Sequence, residues 1–277
     1  MGWVANRTVT ASTLRPFAGS EEYRHGTVKV RPGSPALSSV RVRAWGADPG
    51  VVQLALVDQD AIPDGAELRH WLAELDGTVV HTARTGALFP AAAERFADAG
   101  FAVVDTLALL RVELSGDPDP PVGEPPATGL GDVVTAPLRR HHHPAAAAID
   151  RAAFGAPWSN DIEDLEEIRD ATPSHHATGR FLRTSRLHRQ LVGFAISGAA
   201  GRQGYLQRLA VDPACQRGGH GRALTLESMT WMRRRGLRSA LVNTAITNEG
   251  ALALYRSLGF RPLPEHLVVM QRAVGGG

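Results

Sequence analysis

The residues best placed to do chemistry lie at Val211 to Leu224, VDPACQRGGHGRAL. Gly218, Gly219 and Gly221 leave backbone N–H groups bare at the start of a helix-forming stretch, where the helix dipole is positive. Such a turn holds an anion, and phosphate above all. The same glycines also serve a tight strand-to-helix turn with no ligand. Two common phosphate motifs are excluded: no Gly-Lys-Ser/Thr ending follows, and Leu224 stands where the dinucleotide fingerprint needs its third glycine.

Elements on both sides must position this loop. Gly204 to Val211 reads as a strand, and the helix that begins near Gly219 runs to about Arg235, stopping at Gly236 after three arginines. A short strand, Ala240 to Asn243, precedes a helix opened by Asn248 or Glu249, with Ala251, Tyr255 and Leu258 on one face and Gly259 at its end. Upstream, the pattern predicts a strand over 132–138, a helix over 144–154, a helix over 161–171 capped by Asn160 or Asp161, and strands over 180–184 and 191–197. A final strand covers about 266–271. The fold class is mixed α/β (α+β).

The strand LQRLAVDP, the loop QRGGHG opening a helix, and NEGALALYRSLGF about 30 residues later together resemble the GCN5-related N-acetyltransferase (GNAT) superfamily, over about Asp132 to Arg272. The resemblance implies a mixed, mostly antiparallel sheet splayed between two parallel strands and flanked by helices, with acetyl-CoA as donor. It assigns the pyrophosphate to backbone amides of Gln216, Arg217, Gly218, Gly219, Gly221 and Arg222, with His220 packing or facing water. It assigns the pantetheine arm to the main chain of Leu209, Ala210 and Val211, where a bulge would aim an N–H at the thioester oxygen. Asn248 would cap its helix and touch the arm. Tyr255 would protonate the leaving thiolate, the plain alternative being a packing role.

The implied reaction is direct attack by an amine, without an acyl-enzyme. Many relatives place a carboxylate on the strand that here reads LQRLAV, and this chain offers Gln207 and Tyr205 instead. Asp161, Glu163 and His175 are titratable residues in segments near the expected acceptor cleft, for which ordinary surface roles serve as well. The segment FGAPWSNDIEDL would line that cleft, with Trp158, Asn160 and Asp161 suited to a polar or cationic amine. A peptide N-terminus, a small metabolite amine and an aminoglycoside all remain open. An acyl-CoA sensor without turnover and a protein-interaction module are the competing classes.

No metal site is expected. Cys215 is the only cysteine and reads as a small loop residue, and three adjacent histidines, His141 to His143, share no single face and read as a solvated turn.

The front of the chain carries an echo of the rear. At an offset of 159, Gly77 meets Gly236, Thr85 meets Thr244, Ala92 meets Ala251, Phe96 meets Tyr255, and Gly100-Phe101 meets Gly259-Phe260. Phe89 stands in place of Asn248, and the residues matching QRGGHG are missing. The expectation is a smaller, degenerate GNAT-like domain over 1–114 that cannot hold a nucleotide and buttresses the rear domain or shapes its cleft. A Pro/Gly-rich linker over 115–131 and a catalytic domain over 132–277 complete it.

Composition sets the remaining bounds. With 277 residues, 43% hydrophobic and 21% charged, the chain has an ordinary globular balance, and its formal charge is only +2. Lys29 is the only lysine. Arginines interleaved with acids and no basic block beside stacking aromatics argue against a nucleic-acid partner. No apolar stretch approaches the roughly 20 residues of a membrane span, and the first residues lack a secretory pattern. The expectation is a cytoplasmic monomer or homodimer whose partner is a small-molecule or peptide amine.

Overall fold

Alternating apolar residues and strong helix caps set the elements of the computed structural model, which describes residues 40–45, 48–56, 62–75, 78–114, 133–155, 158–185 and 188–274. The linker expected over 115–131 lies outside the described residues. The described residues group into two units: those within 108–264 form one, and those within 40–107 form the other together with 265–274. The boundaries thus fall inside two strands.

The first unit begins with an antiparallel pair, β1 (Val40–Trp45) and β2 (Asp48–Leu56). Helix α1 (Gly65–Glu74) follows, started by a reciprocal cap in which Asp64 accepts from the Ala66 and Glu67 amides and Glu67 accepts from the Asp64 amide. Next come β3 (Thr82–Thr85), α2 (Pro90–Asp98) and the strand β4 (Ala102–Glu113), whose first residues belong to this unit. β2 and β3 run parallel from Val51/Thr82 to Leu54/Thr85, and the Gly86 amide continues the ladder to the Leu54 carbonyl. No gap opens between them.

The second unit takes Ala108, Leu110 and Leu114 into its core. It continues with β5 (Val133–Pro137), α3 (His143–Phe154), α4 (Ile162–Asp170), β6 (Ser174–Arg183), β7 (Arg189–Ala200), β8 (Gln203–Val211), α5 (His220–Arg234), β9 (Ser239–Ala245) and α6 (Glu249–Ser257). Its strand order is β4-β9-β8-β7-β6-β5. β5 to β8 form an antiparallel meander, and β8 and β9 are parallel. One face packs against α5 and α6 around Leu206, Leu209, Val242 and Tyr255; the other packs against α3 and α4 around Phe154, Leu165 and Phe194. The last strand, β10 (Arg261–Ala273), pairs from Gln271 to Ala273 with β3 and so completes the first unit's sheet.

The mixed α+β fold follows the sequence expectation, with longer strands. β6 begins at Ser174 rather than near Arg180, so His175 and His176 are strand residues. The short helix ends of the two units are built alike. Phe96 and Phe101 lie edge to face at 5.2 Å, and Tyr255 and Phe260 lie at 5.7 Å; in each case the second residue's amide donates to the carbonyl of the first at 3.0 Å. Gly100 and Gly259, with φ of 83° and 86°, make the same left-handed exit.

Candidate active site

The parallel ladder between β8 and β9 has three rungs, Gln203/Ser239, Gly204/Ala240 and Tyr205/Leu241. Beyond Tyr205 and Leu241 the two strands run on, to Val211 and Ala245, unpaired with one another. The β9-facing edge at Leu209, Ala210 and Val211 thus lies beyond the ladder, where a buried strand edge must find other partners. The other edge of β8 stays zipped to β7, with Leu209, Ala210 and Val211 opposite Ala195, Phe194 and Gly193.

That register contains a bulge. Arg208 pairs with Ile196 and Leu206 with Ser197, so Gln207 is the extra residue. The bulge was expected at Leu209 to Val211 and lies at Gln207 instead, because those three residues each have a one-to-one partner. Its consequence is to send two successive side chains to the same face. Gln207 Nε2 donates to the Ile168 carbonyl of α4 at 2.8 Å, and Arg208 reaches α3. Gln207 is thus a strut to α4, and its Oε1 lies over Gly198, where a Cβ would come within 2.4 Å of it.

The mouth of the opening is the glycine loop. Arg217 and Gly219 both have positive φ, 67° and 76°, with Gly218 between them outside that region. This alternation turns successive N–H groups toward one side, the geometry of an anion nest. Gly219 is the N-cap of α5 and supplies no side-chain acceptor, so the helix's first amides are free to meet a phosphate. Gly221 sits close to Leu254, where a Cβ would lie 3.4 Å from Cδ2. Gln216 Nε2 donates to the Val211 carbonyl at 3.3 Å and ties the loop to the strand. Arg217 and Arg222 are exposed. His220 is buried, and burial first, then Arg180, lowers its pKa; of the two expected roles it packs.

Tyr255 is fully buried on α6, and its hydroxyl has no hydrogen-bond partner among the described residues. Burial pushes the phenol's pKa up, opposed in small part by Arg208, so it stays a proton donor across the physiological range. Asn248 accepts from the Ala251 amide at 3.1 Å and donates to Thr244 Oγ1 at 3.0 Å, which makes it the helix cap. The loop, the three strand residues, Asn248 and Tyr255 all belong to the second unit.

Buried polar residues that sequence reasoning passed over lie on β8, β9 and α3. Asp150 and Arg208 are both buried and paired through two contacts of 2.7 Å. The same guanidinium donates to the Trp158 carbonyl at 3.0 Å and lies 3.4 Å from the Phe154 ring centre, while Asp150 accepts the Asn160 amide at 2.6 Å. The pair holds the α3–α4 connection onto the bulged strand. Asn243 on β9 is 3% exposed, and its Oδ1 has no partner among the described residues. A polar residue inside the apolar run ALVNTA was the available signal.

Other candidates take structural roles. Asp161 caps α4 by accepting the Asp164 amide at 2.9 Å, and Glu163 is exposed on that helix. His175 pairs with Gly198, which faces Tyr205, so it stands at the closed end of the β8–β9 ladder. The solvated turn expected at His141 to His143 is corrected at its last member: His143 is buried at the start of α3, with Nδ1 3.1 Å from Glu166. Burial raises the Cys215 thiol's pKa, with Asp212 adding to it. Among the described residues no cluster of three metal-ligating side chains occurs.

A family model described as the acetyltransferase (GNAT) family matches residues 143–260. A mycothiol acetyltransferase from Segniliparus rotundus is 32% identical over 249 residues, spanning 83% of this chain and 83% of that protein. The chain belongs to the GNAT acetyltransferase family. A [ribosomal protein bS18]-alanine N-acetyltransferase from Escherichia coli is 31% identical over 118 residues, 42% of this chain and 73% of that one. Shorter matches to other mycothiol acetyltransferases cover 20% and 58% of those proteins. Among solved structures, a tandem GNAT protein from the clavulanic acid biosynthesis pathway superposes with a TM-score of 0.59 at 15% identity, over 86% of this chain and 79% of that chain, a likeness of fold. The GNAT span contains the loop, Asn243 and Tyr255, and ends at Phe260.

Proposed function

We propose that this protein transfers the acetyl group of acetyl-CoA to an amine by direct attack within a ternary complex. One observation carries the reading: β8 and β9 part after Tyr205 and Leu241, the positive-φ turn of Arg217 to Gly219 follows β8, and Tyr255, whose hydroxyl is unpartnered among the described residues, packs in one core with Leu209 of β8 and Val242 of β9. In this reading the amides from Gln216 to Arg222 hold the diphosphate, with Gly218, Gly219 and Gly221 admitting it closely. The main chain of Leu209, Ala210 and Val211 binds the pantetheine arm, and Asn248 fixes the helix from which Tyr255 projects.

Tyr255 acts as the acid. Its raised pKa suits a group that must hold its proton until a thiolate forms and then lose it to a neighbour that is briefly more basic. The relative named for a ribosomal-protein alanine supports an amine acceptor, whether peptide or small molecule. The first 114 residues are read as a degenerate copy without a donor site, which the closed β2–β3 ladder and Phe96 in place of a tyrosine support. The chemistry then belongs to 132–277, and the single cysteine fits a cytoplasmic setting.

Calorimetry with acetyl-CoA, followed by thiol release over a panel of amines, tests the proposal. Binding plus amine-dependent release is the expected result. Failure to bind acetyl-CoA would sink it, and binding without release from any amine would favour a sensor.

A further inference from the structure

Asn243 stands on β9 two residues beyond Leu241, the last position that pairs with β8. A buried carboxamide oxygen without a partner costs about 1–3 kcal/mol, so a ligand is the natural source of its missing hydrogen bond. Neighbouring Ala240 and Val242 pack in the core that contains Tyr255. Side chains alternate along a strand, so Asn243 projects from the opposite face, the one carrying α3 and α4. Tyr255 and Asn243 therefore flank the parted strands from the two sides. An acyl group held between them would meet a proton donor on one face and a neutral hydrogen-bond acceptor on the other.

The parted segments read LQRLAV and VNTA and contain no Asp, Glu or His. The nearby Asp150 is committed to Arg208 and Asp161 to its helix cap. We propose that Asn243 Oδ1 accepts a hydrogen bond from the acceptor's nucleophilic nitrogen, and that the site takes this amine already uncharged. It thereby selects weakly basic amines of the peptide α-amino class over lysine-like side chains. This rests on the transferase reading given above. An amide oxygen orients an N–H but removes no proton. The nitrogen lone pair forms the bond to the acetyl carbon, the C–S bond breaks with its electron pair going to sulfur, the proton that leaves nitrogen passes to solvent water, and the one that reaches sulfur comes from Tyr255, which solvent then reprotonates. Asn243 neither gains nor loses a proton.

The selection has a calculable size. With α-amino groups near pKa 7.7–8.0 and lysine near 10.4, the neutral fraction at about pH 7.5 is roughly a third for the first and about 0.1% for the second, a ratio of about 200- to 300-fold.

The test uses the full chain, acetyl-CoA and two peptides of one sequence: one with a free N-terminus and no lysine, one N-acetylated with a single lysine. Thiol release is followed from pH 6 to 9. The expected result is a kcat/KM at least about 100-fold higher for the free N-terminus. Each profile should rise to the pKa of its own amine, and Asn243→Ala should raise the acceptor KM about tenfold with acetyl-CoA binding unchanged. Asn243→Asp, which adds a proton acceptor, should narrow the preference. Equal rates, a rising limb with one midpoint for both amines, or an unchanged acceptor KM in Asn243→Ala would overturn the proposal while leaving the transferase reading intact. Release from neither peptide, with acetyl-CoA still bound, overturns this proposal; the transferase reading falls with it only when no amine of the wider panel supports release.

Discussion

Arg208 on β8 and Asp150 on α3 face each other through two 2.7 Å contacts at side-chain exposures of 2% and 0%. Neither charge can find water, so each depends on the other. Removing one partner leaves the second uncompensated, and Asp150→Ala should cost about 3–5 kcal/mol in chemical denaturation. Replacing both with apolar residues of similar size, Asp150→Leu with Arg208→Met, should recover most of that loss. Recovery of stability without recovery of acceptor KM would identify the pair as a positioning device for the Trp158 to Asn160 segment.

Tyr255→Phe separates chemistry from packing. The hydroxyl has no partner to lose, so the variant should be as stable as the parent or slightly more so. Its kcat should nevertheless fall by about 10²–10⁴, the usual contribution of a general acid, with acetyl-CoA affinity unchanged. In the parent, the raised phenol pKa means that rates should show no decline from Tyr255 ionisation up to about pH 10. A descending limb near pH 8 that vanishes in Tyr255→Phe would contradict this.

Gly219→Ala probes the loop. A Cβ at a φ of 76° costs about 1–2 kcal/mol, and it distorts the nest. We expect acetyl-CoA affinity to weaken more than tenfold by calorimetry while the melting temperature drops by only a few degrees.

His220 gives a pH dependence with a defined sign. Its folded-state pKa lies below the ordinary 6.5, so as pH falls below about 6.5 the unfolded chain takes up the proton first and the native state loses stability. Denaturant midpoints measured at pH 7.5 and 5.5 should differ less in His220→Asn than in the parent. An identical drop in both proteins would assign the effect elsewhere.

Ala108, Leu110 and Leu114 lie in the core with Leu206, Val242 and Tyr255. A fragment of residues 132–277 lacks them. Two buried leucines at about 2–5 kcal/mol each, together with an uncovered β9 edge, approach the whole stability of a domain. That fragment should show no cooperative melting, whereas the full chain should.

The loop was legible because it is written in glycines: a residue without a Cβ adopts the left-handed conformation of Gly219 without strain, and the order of the glycines after LAVDP and before a helix is local. Helix limits were legible for the same reason, since Gly236 and Gly259 make their left-handed exits where the sequence places them. The echo between Phe96-Phe101 and Tyr255-Phe260 could be read from spacing alone.

The rest depended on which distant residues meet. No local signal marks Gln207 as the bulged residue, because a bulge exists only relative to the strand opposite. Asp150 and Arg208 are 58 positions apart and look like two ordinary surface charges until α3 folds over β8. Asn243 reads as one polar residue in an apolar strand until the neighbouring strand turns away from it. By itself the sequence determined the family, the glycine loop ahead of α5 and the helix exits at Gly236 and Gly259, all of which reside in short contiguous patterns. The tertiary structure alone decided where the strands part and which buried polar groups face that opening, since both follow from long-range pairing.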